Sequence, residues 1–142
     1  ILGSKGFELS LAEDGMEAVA GTAYLAPGDR HLVLEGGRNG GVKMRLEQSD
    51  PVNYVRPSAD VLFKSASACY GCNLLALVLT GMGSDGASGS ETVKAAGGRV
   101  VVQDEASSVI FGMAKAVVSR GAADKVLPIE EVPLEIVSFM EG

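Results

Sequence analysis

Histidine is almost missing from this chain: a single residue, His31, stands among 142. That scarcity limits any histidine-based mechanism its own residues could run. Tryptophan is absent, and Cys69 and Cys72 are the only cysteines, too few for a disulfide scaffold and in keeping with a reduced, cytoplasmic setting. Positive charge is also short. Twelve Lys and Arg face eighteen Asp and Glu, for a net charge of −6, which repels phosphate backbones and anionic headgroups and argues against nucleic-acid partners. No apolar run approaches the roughly 18 residues that cross a bilayer, and the start carries no basic, then apolar, then small-residue leader. No direct membrane insertion is therefore expected. The chain opens on Ile1 and not on Met, so a fragment or processed piece is the expectation.

What is present describes a folded unit. With 46% hydrophobic residues, 21% charged and no low-complexity tract, the chain can bury a core of one-domain size. Residues 7–13 and 22–25 alternate as half-buried strands, the second stopped by Pro27 and Gly28. Strand character returns at 31–35 and 42–47, and the intervening residues 36–41 contain Asn39-Gly40, a tight-turn signal that predicts an antiparallel hairpin. After Pro57 the period changes. Ser58 suits a helix N-cap or first-turn position, and Val61, Leu62, Ala66 and Cys69 recur at helical spacing until Gly71. The unbroken apolar run 74–79 predicts a parallel strand buried on both faces. A glycine-rich segment follows, then a helix over about 91–96, a strand over 99–103, helices near 113–119 and 134–140, and a short strand at 125–127. The fold class is α/β, a mostly parallel sheet flanked by helices, with an antiparallel hairpin.

Several residue patterns carry chemistry. Gly81-x-Gly83-x-x-Gly86 follows a buried strand and leads to a helix, with Asp104 and Glu105 after the next strand, the arrangement of a dinucleotide fingerprint. Against it stands Asp85, a negative charge inside the loop where a pyrophosphate would sit. The other readings are that these glycines merely let the chain turn, or that Asp85 is itself functional at the carboxyl end of a parallel strand. Cys69-x-x-Cys72 lies where a helix ends, so the dipole opposes a lowered thiol pKa, and one histidine cannot complete a zinc site with it. Neither a metal nor another cofactor is expected. Ser84, Ser88 and Ser90 surround the loop without forming a nucleophile elbow. His31 reads as structural or merely exposed before it reads as a general base, and Glu130, Glu131 and Glu135 read as a solvated helix face.

At the loop the sequence acquires a family likeness. Residues 79–89, Leu-Thr-Gly-Met-Gly-Ser-Asp-Gly-Ala-Ser-Gly, resemble the signature of the chemotaxis protein-glutamate methylesterases, the CheB family, and residues 12–15, 23–31, 56–63 and 103–113 look like further blocks of its catalytic domain in the same order. The resemblance implies hydrolysis of glutamate methyl esters, with deamidation of glutamines, on the cytoplasmic helices of chemoreceptors. It implies a serine, histidine and aspartate mechanism in which Asp85 is the catalytic aspartate. Met82, flanked by Gly81 and Gly83, would supply a backbone amide to the oxyanion. The family's serine and histidine lie upstream of the matched blocks, so the N-terminal strands of the domain are expected to be missing and the isolated chain inactive. His31 corresponds to a different family position and is no substitute base. The receiver domain carried by many members is not in this chain, although a parent protein could have one. Met113-Ala114 replaces the Met-Pro usual in the family.

Overall fold

The computed structural model describes residues 8–37 and 39–142. Phe7 of the first expected strand and Arg38 of the expected turn lie outside them. The N-terminal half holds two strand pairs. Strands β1 (Glu8–Leu11) and β2 (Thr22–Leu25) run parallel, from Glu8 beside Thr22 to Leu11 beside Leu25. Strands β3 (His31–Gly36) and β4 (Val42–Glu47) form the expected antiparallel hairpin, from His31 opposite Glu47 to Gly36 opposite Val42. Alternation explains β4: Val42 and Met44 point into the core while Lys43 and Arg45 face water. Ala12, Leu32 and Met44 are buried together here, covered by Met16, Tyr24, Leu34 and Leu62.

The C-terminal half alternates helix and strand: α1 (Ala59–Tyr70), β5 (Leu75–Val78), α2 (Ala87–Ala95), β6 (Arg99–Gln103), α3 (Met113–Ser119), β7 (Lys125–Leu127) and α4 (Val132–Glu141). Strands β5, β6 and β7 lie side by side in chain order, all parallel. The central strand β6 is covered on both faces, which its consecutive valines 100–102 require; all three are fully buried. Val78, Val93, Ala114 and Val117 complete the core beneath the helices. Each fully buried valine contributes about 1.5–3 kcal/mol of apolar transfer.

Three sequence expectations change in detail. The parallel strands of the described residues belong to two sheets, β1-β2 and β5-β6-β7, rather than one. Helix α2 begins at Ala87, four residues before the expected start, because the chain enters it directly from the left-handed Gly86 (φ +93°). Glu135 is 7% exposed and not on a solvated face: its carboxylate accepts from Arg99 Nη1 at 3.1 Å and Lys125 Nζ at 2.6 Å, tying α4 to β6 and β7. The β1-β2 pair leaves Leu9, Leu11 and Leu25 more than half exposed, and an open cleft of about 740 Å³ lined by Val19, Tyr24, Leu34, Leu62 and Leu75 lies between that half and β5.

Candidate active site

Parallel pairing puts the carboxyl ends of β5, β6 and β7 on one side, so the loops that follow β5 and β6 are neighbours. They are joined by specific bonds. Thr80 Oγ1 accepts from the Ile110 N–H at 2.9 Å and lies 3.2 Å from the Ile110 carbonyl; the Gly81 N–H donates to that carbonyl at 3.0 Å. The Gly81 carbonyl in turn accepts from Gly112 and Met113. Glycine is needed at 112, since a Cβ there would lie 2.7 Å from the Gly81 oxygen and 3.1 Å from the Gly83 nitrogen. Met82 sits at the outside of this clamp, 81% exposed, and among the described residues its N–H has no protein acceptor.

Three residues on, Asp85 turns inward and is 8% exposed. Its Oδ2 accepts from the Ala59 N–H at 2.6 Å. Its Oδ1 accepts from the Ser58 hydroxyl at 2.6 Å, from Asn53 Nδ2 at 3.0 Å and, more weakly, from the Asp60 N–H at 3.4 Å. Ser58 does occupy the N-cap position of α1, as its sequence suggested, but its hydroxyl makes no cap bond. The cap comes from Asp85, which precedes α2. Conversely Asp60, in the first turn of α1 and 3% exposed, accepts from the Gly89 N–H in the first turn of α2 at 2.5 Å. Two helix starts thus exchange carboxylates, and their amide dipoles stabilise the negative charge. Among the described residues neither carboxylate has a Lys or Arg nitrogen within 4.0 Å.

The wall beside Asp85 is built by residues 50–58. His31 is completely buried; its Nδ1 accepts from the Ser58 N–H at 3.1 Å and its Nε2 lies 2.9 Å from the Asp50 carbonyl. These partners assign the neutral tautomer protonated on Nε2. Arg56 forks onto Asp29 through Nε and Nη2 and reaches the Ser49 carbonyl through Nη1 at 2.9 Å. The guanidinium holds the Asp29 carboxyl below the usual carboxylate range.

The remaining sequence candidates are engaged elsewhere. Asp104 accepts from the hydroxyl and the N–H of Ser107 at 2.6 and 2.9 Å, which lower its pKa. Asp104 is thus folded back on its own turn, and the Gly89 amide in the first turn of α2 is taken by Asp60. Cys69 lies in the last turn of α1 and Cys72 in the following 3-10 turn; both are free thiols. Burial, and secondarily the charge of Glu35, pushes the Cys69 pKa up. Sequence reasoning assigned no role to Asn53 and Asp60 around Asp85, and it offered Ser58 only as a helix-start residue. The one available signal was Asn53 between Val52 and Val55, a turn residue between two β-branched ones.

Comparison with known proteins decides the family. The family model described as CheB methylesterase matches residues 3–136. The chain belongs to the CheB methylesterase family. It is 48% identical over 129 residues to a protein-glutamate methylesterase/protein-glutamine glutaminase of Thiobacillus denitrificans, covering 90% of this chain and 36% of the relative. A protein of the same description from Haloarcula marismortui is 42% identical over 126 residues, covering 89% of this chain and 34% of that one. The crystal structure of the Thermotoga maritima CheB methylesterase catalytic domain superposes with a TM-score of 0.86 at 43% identity, covering 89% of this chain and 67% of the solved one. The chain therefore spans about a third of the length of the curated relatives it matches, and the CheB fold accounts for its α/β class, with parallel sheets, flanking helices and an antiparallel pair.

Proposed function

We propose that this chain is the C-terminal portion of a single methylesterase catalytic domain that acts on cytoplasmic helices of chemoreceptors. The reaction is hydrolysis of glutamate methyl esters, with deamidation of glutamines at the same site, by a serine, histidine and aspartate mechanism in which Asp85 is the aspartate. The observation that carries this reading is the buried Asp85 carboxylate, fixed by Asn53, Ser58 and Ala59 beside the carboxyl end of β5.

In this scheme the serine hydroxyl attacks the ester carbonyl and passes its proton to the histidine. The Asp85 carboxylate holds the imidazole in the right tautomer and stabilises the imidazolium that forms. The Met82 N–H, without a protein acceptor among the described residues and displayed between Gly81 and Gly83, donates a hydrogen bond to the developing oxyanion. Methanol leaves from an ester, or ammonia from a glutamine, and water then releases the glutamate carboxylate. Serine and histidine come from polypeptide outside this sequence. The setting is cytoplasmic; among the described residues no helix is long and apolar enough to cross a membrane.

Methanol release from a methylated receptor tests the scheme. The isolated 142-residue chain is expected to release none, since losing nucleophile and base removes most of a triad's contribution. In a complete enzyme carrying this segment, Asp85→Asn lowers kcat on the order of 10³–10⁴-fold. Release by this polypeptide alone, at the rate of the complete enzyme, would overturn the proposal.

A further inference from the structure

Asn53 touches both buried carboxylates of the site. Its Nδ2 carries two hydrogens and donates one to Asp60 Oδ2 at 2.7 Å and one to Asp85 Oδ1 at 3.0 Å. The backbone aims it there. Val52 and Val55 exchange two backbone hydrogen bonds of 3.0 Å, closing a turn whose central residues, Asn53 and Tyr54, both lie in the left-handed region at φ +52° and +65°. Asparagine adopts that region more readily than other residues with a side chain, so one residue satisfies both the turn and the double donation.

The donors on Asp85 are unevenly shared. Oδ1 accepts from Asn53, from the Ser58 hydroxyl and weakly from the Asp60 N–H, whereas Oδ2 accepts from the Ala59 N–H. Each carboxylate oxygen offers two acceptor directions, so Oδ2 keeps one in reserve. The donor type matters as well. A lysine or arginine could also bridge two carboxylates, but its charge would compete with the imidazolium for Asp85. A neutral amide orients the carboxylate and leaves its negative charge available.

We propose that Asn53 is a positioning residue of the methylesterase reaction, pinning Asp85 Oδ1 so that Oδ2 is the oxygen that accepts the imidazole N–H. The inference rests on the reading of Asp85 given above. In the complete enzyme carrying this segment, Asn53→Gly keeps the left-handed backbone and removes the amide. The expected result is a kcat lowered about 10- to 100-fold, the cost of a misplaced catalytic group, with KM unchanged within about twofold, as for a residue that acts through Asp85. A role in stability alone would leave kcat per folded molecule intact, so thermal unfolding is measured on the same sample. Where the glycine variant does not fold, Asn53→Ser, which offers one donor in place of two, is expected to give a smaller loss of kcat in the same direction. Asp85→Asn runs in parallel. Full kcat in both folded Asn53 variants, with Asp85→Asn impaired, overturns the positioning role and spares the reading of Asp85. Full kcat in Asp85→Asn overturns both.

Discussion

Asp60 in the first turn of α1 accepts a hydrogen bond from the Gly89 N–H in the first turn of α2, at 2.5 Å, and is itself 3% exposed. Together with the Asp85 bond to Ala59 in the opposite sense, it joins two helices that are separate in sequence into one unit. Asp60→Ala leaves the Gly89 N–H and one Asn53 donor unpaired. Hydrogen bonds to a charged group contribute about 1.5–3 kcal/mol, so urea unfolding of this variant is expected to show a loss of about 2–3 kcal/mol. A loss below about 0.5 kcal/mol, the scale of an ordinary surface change, contradicts the cross-capping account.

His31 is held by Ser58 and Asp50 rather than by Asp85, so its substitution is expected to be read in stability. Truncation to alanine removes a fully buried ring and strands the Ser58 N–H, for a cost of about 2–4 kcal/mol. Nitrogen chemical shifts of the imidazole provide the direct check: Nδ1 is expected to carry no proton. A protonated Nδ1 would mean that the Ser58 bond is not formed as described.

Ser90 has the opposite sign. Its hydroxyl is fully buried in α2 with no hydrogen-bond partner among the described residues. Ser90→Ala removes an unpaired polar group from the core and places a better helix former in the helix. Stability is expected to rise by about 1 kcal/mol, roughly 3 °C in Tm. A fall in Tm would show that the hydroxyl has a partner after all.

Glu135 sets an acid dependence. The Lys125 hydrogen bond chiefly, and Arg99 after it, lower its pKa from the ordinary 4.5 against an opposing effect of burial. A carboxyl whose folded pKa lies below its unfolded one stabilises the fold above the unfolded value and loses that contribution as pH falls through the folded value. Tm is therefore expected to drop as pH is taken below about 4.5, and Glu135→Gln should flatten that drop while lowering Tm at neutral pH. An identical acid slope in wild type and variant would exclude Glu135 as a source.

The legible parts of the sequence were those with strong local signals. The apolar runs 74–79 and 99–103 marked the parallel strands β5 and β6. Burial on both faces, expected of the first, belongs to the second, since Leu75 and Leu77 are only half-buried and Leu79 is exposed. Asn39-Gly40 lay in the connection of the β3-β4 hairpin, and the motif around Asp85 carried the family. The start of α2 was hidden because residues 86–89 contain two glycines and a serine, which read as loop until α1 is packed against them. Glu135 read as solvated because its partners, Arg99 and Lys125, are 36 and 10 residues away in sequence. The cap of α1 looked local, through Ser58, yet a carboxylate from the α2 approach provides it. In each of these cases a distant group replaced the expected neighbour or solvent, and local patterns hold no record of it.

The bonds between Thr80, Gly81 and residues 110–113 have an evolutionary consequence. They make the two loops a single inherited unit, although about 30 positions separate them. Val109, 90% exposed, lies just beyond the last of these bonds. An insertion or deletion between residues 110 and 113 would drag Met82 with it. A length change at the base of the second loop therefore has to be matched by the glycine loop, whereas its tip lies outside the bonded unit.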